Sequence, residues 1–253
     1  MLIGERITKI KKLIQEEQSL KVSELSKIFN VSEVTTRRDL AKLEKQGLIE
    51  RTHGGAIVSG TLRLIGKFQI HTQEYKEQKQ RIGKMAASLI KAGQVIVLDA
   101  GTTTLEIARN IRNIEDVTVI TNNLSVALEL AGKPDISVMV TGGSLRRPSL
   151  SLTGQRAAEF FHQLNVDITF LSVQGVSIEK GLTNTSFSDL YLKKAMISAA
   201  KEVILVADSS KFNRVEFCTV APITAVRRII TDNNLHTELI KNLESLNIEL
   251  IIV

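Results

Sequence analysis

The fold of the amino-terminal part is decided by a stretch that reads SEVTTRRDLAKLEKQGLIERTHGG, residues 32–55. Ser32 is a good N-cap for a helix over residues 33–46, because its hydroxyl can accept a bond from a free first-turn amide. Gly47 follows as a plausible helix stop. One face of this helix carries the inward residues Thr36, Leu40 and Leu43. Their spacing predicts an amphipathic helix packed on a core.

Two helices precede this stretch and a hairpin follows its helix. Isoleucines at helical spacing (Ile3, Ile7, Ile10 and Ile14) predict a first helix over residues 3–17. A second helix fits residues 23–29, with Leu25, Ile28 and Phe29 inward. Asn30 ends it, since asparagine tolerates the left-handed conformation of a tight turn. Residues 48–51 and 56–58 predict two strands around a glycine turn. The order of elements predicts a winged helix-turn-helix.

Polar and basic side chains lie on the outer face of the third helix and on the hairpin. Near the start of a recognition helix such groups can reach base edges and phosphates of double-stranded DNA. The predicted DNA-binding residues are Ser32, Thr35, Arg37, Arg38, Lys42, Arg51 and His53. Residues 1–58 hold 11 Lys and Arg against 8 Asp and Glu, a net charge of +3. A three-helix bundle with a solvated basic face is the alternative.

The bulk composition is that of an ordinary globular protein with a basic balance. The 253 residues carry a net charge of +6, which favours anionic partners without fixing the fold. Cys218 is the only cysteine, and His71, His162 and His236 lack ligand-type spacing, so neither a disulfide nor a metal site is predicted. No apolar run reaches the roughly 18–20 residues of a membrane span, and the start lacks a signal peptide. We therefore expect a cytoplasmic protein without a cofactor.

After a linker over residues 59–77, the range 78–253 predicts one mostly parallel α/β domain. Apolar runs that begin at Val95, Val117, Ile136, Ile168, Val203 and Arg228 each end in small polar residues. The predicted helices between them are 80–91, 103–111, 124–131 and 188–201. Strands that are apolar on both faces and alternate with helices are typical of a parallel sheet. Ligands of such sheets bind beyond the carboxyl ends of the strands.

The run Asp99-Ala-Gly-Thr-Thr-Thr-Leu-Glu is the most informative of these strand ends. Gly101 lets the backbone approach a ligand, and Thr102 to Thr104 open a helix whose free amides and hydroxyls suit a phosphate. The alternative is structural, because Thr103 and Glu106 also fit a capping box. Three consecutive threonines exceed what capping needs, so a phosphate site is the favoured interpretation.

Other strand ends add candidate effector contacts. The run Thr141-Gly-Gly-Ser-Leu-Arg-Arg offers Gly142 and Gly143 for close approach and Arg146 or Arg147 for an oxyanion, although a surface arginine pair is equally common. Lys211, just past a strand, suits a phosphate as a point charge. Asn122 and Asn123 suit sugar hydroxyls. The predicted effector set is Asp99, Gly101, Thr102, Thr103, Thr104, Asn122, Gly142, Gly143, Arg146 and Lys211.

The segment 22–57 closely resembles the DeoR family of bacterial transcription regulators. The resemblance is carried by Ser-x-x-Thr-x-Arg-Arg-Asp-Leu at 32–40 and His-Gly-Gly at 53–55, with Thr36 where the family usually has Ile or Val. Further matches are Asp99-Ala-Gly-Thr-Thr-Thr, Thr121-Asn-Asn, Thr141-Gly-Gly, Gly181-Leu-Thr, Lys193-Lys-Ala-Met and Ala207-Asp-Ser-Ser-Lys-Phe. Arg146-Arg147 and Lys211-Phe-Asn-Arg look most like the branch for galactitol, tagatose or N-acetylgalactosamine use.

The resemblance implies a sensor domain similar to ribose phosphate isomerase and glucosamine phosphate deaminase. Gly101 to Thr104 and Lys211 would then hold the effector phosphate. Many members carry an acid at the position of Gln174 and a Glu near Ser188 or Asp189, and this chain departs at Gln174 and Ser188.

Three functions are open on these residues. The leading hypothesis is a repressor that binds operator DNA as a homo-oligomer, dimer or tetramer, under control of a phosphorylated sugar. A sugar-phosphate isomerase or deaminase with a DNA-binding head needs a general base, and residues 172–177 contain no carboxylate. A dinucleotide sensor needs Gly-x-Gly-x-x-Gly, whereas only Gly101 follows the Val95 strand.

Overall fold

A computed structural model of the chain describes residues 3–17, 19–45, 49–58 and 74–253. The chain divides into two compact units, Met1–His71 and Thr72–Val253. The predicted helix stop at Gly47, the strand start at Leu48 and most of the predicted linker lie outside the described residues. So do the side chains of Ile3 and Ile14. Within the described ranges, no helix is long and apolar enough to cross a membrane.

The first unit is a winged helix-turn-helix, as the sequence predicts. Its elements are α1 (Ile3–Glu17), β1 (Ser19–Lys21), α2 (Val22–Phe29), α3 (Glu33–Lys45), β2 (Ile49–Arg51) and β3 (Gly55–Val58). The three strands form an antiparallel sheet in the order β1-β3-β2. Strand β1, which no sequence signal indicated, extends the predicted hairpin by one strand.

The turn between α2 and α3 has the predicted chemistry. Asn30 adopts a φ of 50°, in the left-handed region. The Ser32 hydroxyl accepts a bond from the Thr35 amide at 3.2 Å, so Ser32 caps α3. The expectation that Ile28 points inward is wrong, because 58% of it is exposed. Helix α2 begins at Val22, whose side chain shares the buried face with Leu25 and turns Ile28 outward.

A buried ion pair joins the first and third helices of this unit. Arg6 Nε lies 2.6 Å from Asp39 Oδ2, and both side chains are almost completely buried. Asp39 is the acid of the Arg-Arg-Asp run, so its place in that run has a structural reason. Thr36 is also buried, and its hydroxyl donates to the Ser32 carbonyl at 3.3 Å.

The second unit is built on a seven-stranded parallel sheet. Its helices are α4 (Lys76–Ser88), α5 (Thr102–Asn110), α6 (Leu124–Leu130), α7 (Gln155–Glu159), α8 (Phe187–Ala199) and α9 (Thr237–Ser245). Its strands are β4 (Val95–Leu98), β5 (Val117–Thr121), β6 (Ile136–Val140), β7 (Ser144–Arg146), β8 (Ser151–Thr153), β9 (Val166–Leu171), β10 (Gly175–Ser177), β11 (Gly181–Asn184), β12 (Ala200–Val206), β13 (Cys218–Ala221), β14 (Arg228–Thr231) and β15 (Glu249–Ile252).

The main sheet has the order β15-β14-β12-β9-β4-β5-β6, and all its neighbours pair in parallel. The chain winds outward from β4 through β5 to β6, and then returns to the other side of β4 as β9. The carboxyl ends of β4 and β9 are therefore the switch point at which parallel sheets bind ligands. This sheet confirms the predicted α/β fold.

Smaller features complete the unit. Strands β10, β11 and β13 form an antiparallel sheet, and β7 and β8 form a hairpin. Helix α4 begins at Lys76, inside the predicted linker range 59–77. Helix α8 passes into β12 without a connecting residue, since Ala199 ends the helix and Ala200 already pairs with Val166 of β9. The expected helical end over residues 200–201 is therefore wrong.

Candidate functional site

The outer face of α3 and the wing, called the recognition surface below, contains all seven predicted DNA-binding residues. Arg38 and Lys42 are exposed, and neither forms an ion pair with another residue in the described ranges. The hydroxyls of Ser32 and Thr35 lie 2.9 Å apart and bond to each other. Two uncompensated cations one turn apart on a helix suit a phosphate backbone.

Two other arginines of this surface already have partners. Arg37 Nη2 lies 3.1 Å from Glu33 Oε2, and Arg51 Nη1 lies 3.8 Å from Glu44 Oε2. Their charges are therefore partly compensated, unlike that of Arg38. His53 is exposed on the turn of the wing.

One residue of the recognition surface was missed from the sequence. Val34, in the first turn of α3, is a large apolar side chain that is mostly exposed. An exposed valine beside Arg38 offers an apolar contact for a thymine methyl group. A valine in a predicted helix is normally assigned to the buried core, so the exposure of Val34 is visible only in the structure.

The ends of β4, β5 and β6 are held together by hydrogen bonds. The Thr121 hydroxyl donates to the Leu98 carbonyl at 2.7 Å, and the Thr141 amide donates to the Thr121 carbonyl at 3.1 Å. Asn122 Nδ2 donates to the Leu152 carbonyl at 3.2 Å, which ties β5 to β8. Asn123 is occupied structurally, since its Oδ1 caps α6 through two amides. The predicted residues at these three strand ends therefore share one edge of the sheet.

A buried ion pair occupies the switch point. Asp99 Oδ2 accepts from the Lys193 ammonium and from the Ser172 amide at 3.1 Å, and Oδ1 accepts from the Ala100 amide at 2.7 Å. Lys193 Nζ also donates to the Ser172 carbonyl at 2.7 Å. Burial raises the pKa of the Asp99 carboxyl, and Lys193 opposes that rise. Asp99 thus positions β4, β9 and α8, and Lys193 is a site residue outside the predicted set.

The threonines at the start of α5 divide into two roles. The capping-box expectation is wrong, because Gly101 is the N-cap without a side-chain cap and Glu106 pairs with Arg109 at 2.6 Å. The Thr104 hydroxyl donates to the carbonyls of Asp99 and Gly101 at 2.6 and 2.9 Å. Thr102 and Thr103 lie in the first turn of α5, where backbone amides have no partner within the helix, and groups of this kind suit an anion.

Two glycines of the site have separate structural reasons. A Cβ on Gly101 would lie 2.6 Å from Ser172 Oγ, so a larger residue would push apart the ends of β4 and β9. Gly143 has a φ of +123°, a conformation that favours glycine, and its Cβ would lie 2.7 Å from the Thr153 carbonyl oxygen. Gly142 is exposed beside it and has open space around it.

Lys79 of α4 is a second site residue that the sequence did not single out. Burial lowers the pKa of its ammonium. The Asp208 carboxylate opposes that shift, Lys211 lowers the pKa further, and Glu74 and Glu106 raise it. Lys79 therefore lies within electrostatic range of both Lys211 and helix α5. Lys211 itself is half-buried in the short turn after β12.

Arg146 of the β7–β8 hairpin contacts the first turn of α8. Its Nη1 lies 2.9 Å from Asp189 Oδ2, which also accepts from Asn184 Nδ2 at 3.2 Å. Arg147 is exposed. Gln174, where an acid is common in related sequences, accepts instead from the Thr185 hydroxyl at 2.7 Å. The hairpin is thus attached to α8 through an ion pair with Arg146.

Several buried oxygens at these strand ends have no hydrogen-bond partner. Among the residues that the structure describes they include Asn122 Oδ1, Thr141 Oγ1, Asp189 Oδ1, Asp208 Oδ2 and Thr231 Oγ1. Buried polar atoms without partners are costly, so these oxygens are suited to accept bonds from a ligand that carries several donors. In the described part of the chain, no group of three or more His, Cys, Asp or Glu is placed to hold a metal ion.

Comparison with protein families assigns both units. A DeoR-like helix-turn-helix domain matches residues 6–61, and the DeoR C terminal sensor domain matches residues 74–233. The chain belongs to the DeoR family. It is a DeoR-family transcriptional regulator with a DNA-binding head and a sensor domain, as the sequence predicts.

Curated relatives match almost the whole chain. The chain is 40% identical to the HTH-type transcriptional regulator YulB of Bacillus subtilis, over 96% of this chain and 94% of that protein. It is 35% identical to the HTH-type transcriptional repressor GlcR of the same organism, over 90% and 88%. It is 32% identical to GolR of Listeria innocua, over 95% and 94%. These relatives are transcriptional regulators and not enzymes, in agreement with the sequence.

Solved structures show more distant likenesses in fold. A ribose 5-phosphate isomerase of Methanocaldococcus jannaschii matches with 19% identity and a TM-score of 0.40, over 55% of each chain. The eIF2B delta subunit of Chaetomium thermophilum matches with 17% identity and a TM-score of 0.46, over 66% of this chain and 60% of that one.

Proposed function

We propose that this DeoR-family regulator is a cytoplasmic repressor of a sugar-utilisation operon, with operator affinity controlled by a phosphorylated sugar. The sugar phosphate binds at the carboxyl ends of the strands of the second unit. The observation that carries the proposal is the combination, at one sheet edge, of lysines, free helix amides and buried oxygens without partners.

The phosphate end of the ligand is assigned to the start of α5. Thr102 and Thr103 supply hydroxyls and amides there, and Lys211 and Lys79 supply positive charge. The charge of Lys211 lowers the pKa of Lys79, although the Asp208 carboxylate raises it, so a dianionic phosphate near both ammonium groups favours the charged form of Lys79. Asp99 acts indirectly, by holding Gly101 and Lys193 in place.

The sugar hydroxyls are assigned to the unpartnered oxygens. Asn122, Thr141 and Asp189 each keep a buried acceptor, and each hydroxyl of a sugar is a donor. Arg146 then holds Asp189 in place rather than binding the phosphate itself, because its guanidinium already bonds that carboxylate. A phosphorylated sugar therefore satisfies both halves of the site, whereas inorganic phosphate satisfies only one.

A thermal-shift panel of hexose, hexitol and hexosamine phosphates tests the assignment on the full chain. A bound ligand at 100 times its dissociation constant stabilises the folded state by about 2.7 kcal/mol. We expect one phosphate ester to raise the melting temperature, and the corresponding free sugar and inorganic phosphate to raise it much less. Lys211→Ala and Thr103→Val are expected to abolish the shift.

Lys241→Ala is the matched control, because Lys241 is an exposed lysine of α9 away from the strand ends. An unchanged shift in Lys211→Ala and Thr103→Val contradicts the phosphate assignment. The function itself fails if no sugar phosphate changes operator affinity in gel-shift titrations. We expect a change of roughly 5–150-fold, the range of a coupling of ~1–3 kcal/mol.

The branch of the family is part of the proposal. Arg146-Arg147 and Lys211-Phe-Asn-Arg favour a regulator of galactitol, tagatose or N-acetylgalactosamine use, so phosphates of these compounds belong first in the panel. We also propose that the regulator acts as a homo-oligomer, because paired heads match the two half-sites of a palindromic operator.

A further inference from the structure

An apolar groove lies on the second unit between α7 and α8. It encloses about 820 Å³ and has 15 lining residues. Ala158 and Phe161 are buried along it, and Ala195 of α8 lines it as well. No residue of the proposed phosphate site lines this groove, so the proposed function leaves it unexplained.

Two aromatic rings stand at the same groove. Phe187 is 56% exposed and Tyr191 is 59% exposed, although the whole chain has only eight phenylalanines and two tyrosines. The rings pack edge to face with their centroids 5.7 Å apart, so they form one exposed aromatic projection at the groove. Exposed rings beside an apolar groove are typical of an interaction surface.

We infer that this face joins two copies of the chain, each placing its Phe187–Tyr191 pair in the groove of the other. A projection and a groove on one face are self-complementary, which a two-fold interface requires. The inference rests on the proposed function only in that a palindromic operator calls for two heads.

The charged residues that line the groove are complementary to those of a second copy of the chain. Glu159 of α7 and Lys194 of α8 both line it and carry opposite charges. Lys194 forms no ion pair with any residue in the described part of the chain, and Glu159 accepts only a Gln155 amide bond there. A two-fold axis can therefore bring Lys194 of each copy to Glu159 of the other.

The area is also appropriate for a dimer. Full burial of a Phe or Tyr side chain removes roughly 150–250 Å² from water, and about half of that remains exposed here. The four rings of a pair thus contribute roughly 350–550 Å², a quarter to a third of the roughly 1,600 Å² in a standard interface. The groove walls and the charged pairs supply further contact area.

Analytical ultracentrifugation of the full chain, without DNA or sugar phosphate, tests the inference. The wild-type chain is expected to be a dimer or a larger assembly. Tyr191→Glu is expected to weaken self-association at least about 30-fold, as for the loss of a central aromatic contact. Leu128→Glu, at a leucine of α6 that is 76% exposed and therefore more accessible than Tyr191, is the control and is expected to leave the assembly unchanged.

Variants with exchanged charges test the same interface in case Tyr191→Glu does not fold. Lys194→Glu is expected to weaken the dimer, and adding Glu159→Lys in the same chain is expected to restore it. If the wild-type chain is a monomer, the groove has a different occupant and the inference is wrong. An unchanged assembly in Tyr191→Glu and Lys194→Glu, or an equal loss in Leu128→Glu, also overturns the inference.

The two proposals fail separately. A dimer that depends on Tyr191 but ignores every sugar phosphate contradicts only the proposed function. A wild-type chain that responds to a sugar phosphate as a monomer contradicts the self-association surface and the proposed homo-oligomer, but not the sugar-phosphate site.

Discussion

The recognition surface and the sheet edge use charge in opposite ways. Arg38 and Lys42 are exposed on α3, whereas Asp99 and Lys193 are buried at the switch point and bonded to each other. Exposed cations bind a polyanion with little rearrangement, and their binding falls as salt rises. A buried set of paired charges accepts a ligand only in fixed geometry. Affinity for DNA and selectivity for a small ligand are therefore built from different arrangements of the same residue types.

The sharpest test of this contrast removes the buried cation. Lys193→Met leaves the Asp99 carboxylate buried without its partner, and loss of one partner of a buried ion pair costs about 3–5 kcal/mol. We expect the unfolding transition of the second unit to move down strongly in differential scanning calorimetry. Lys201→Met, at an exposed lysine of β12, is the control and is expected to cost at most about 1 kcal/mol. Equal losses in both variants would contradict the contrast.

The next test removes an exposed cation from the recognition surface. Arg38→Ala is expected to weaken operator binding by about 1–3 kcal/mol, or roughly 5–150-fold, and to leave ligand binding unchanged. Arg37→Ala is the matched variant, and its effect is expected to be smaller because Glu33 already compensates that guanidinium. Gel shifts at one fixed salt concentration measure both. Full operator affinity in Arg38→Ala would show that the assignment of the recognition helix is wrong.

The smallest expected effect is a pH dependence of stability at the ion pair between Lys201 and Asp167. The bond from Lys201, with one from the Val95 amide, lowers the pKa of Asp167 below its ordinary value of 3.8. A carboxyl with a lowered folded-state pKa stabilises the fold above its unfolded pKa, and that contribution is lost as the pH falls through the folded value. The melting temperature of the wild type should therefore fall more than that of Asp167→Asn as the pH is lowered from 5 to below 3.8. Parallel curves of melting temperature against pH for the two proteins would show that Asp167 does not contribute to the loss of stability in acid.

The sequence predicted those parts of the fold that have local signals. The capped helix after Ser32, the left-handed Asn30 and the six apolar strand runs all appear as expected. Strand β1 was missed because Ser19 to Lys21 is too short to show a period. In the antiparallel sheet of β10, β11 and β13, the hairpin of β10 and β11 was missed because both strands are only three or four residues long, and β13 was missed because it pairs with a segment that is distant along the chain.

The site was predictable at its strand ends but not between them. Asp99 and Lys193 are 94 residues apart, so no local sequence pattern predicts their ion pair. Lys79 has the sequence context of a solvated helix, and the packing of α4 on α5 and on strands β12 and β14 buries it. Asp99 was expected to touch the effector, yet both its oxygens bond within the protein. Whether each predicted effector contact binds ligand stays a prediction.

The direct passage of α8 into β12 carries a mechanical consequence. No loop residue separates Ala199, the last residue of α8, from Ala200, which pairs with Val166 of β9 in the sheet. Helix α8 carries Lys193, which bonds to Asp99, and also Tyr191 and Lys194, which line the apolar groove. If both proposals hold, a ligand that displaces Lys193 acts on the same helix that forms the contact between copies.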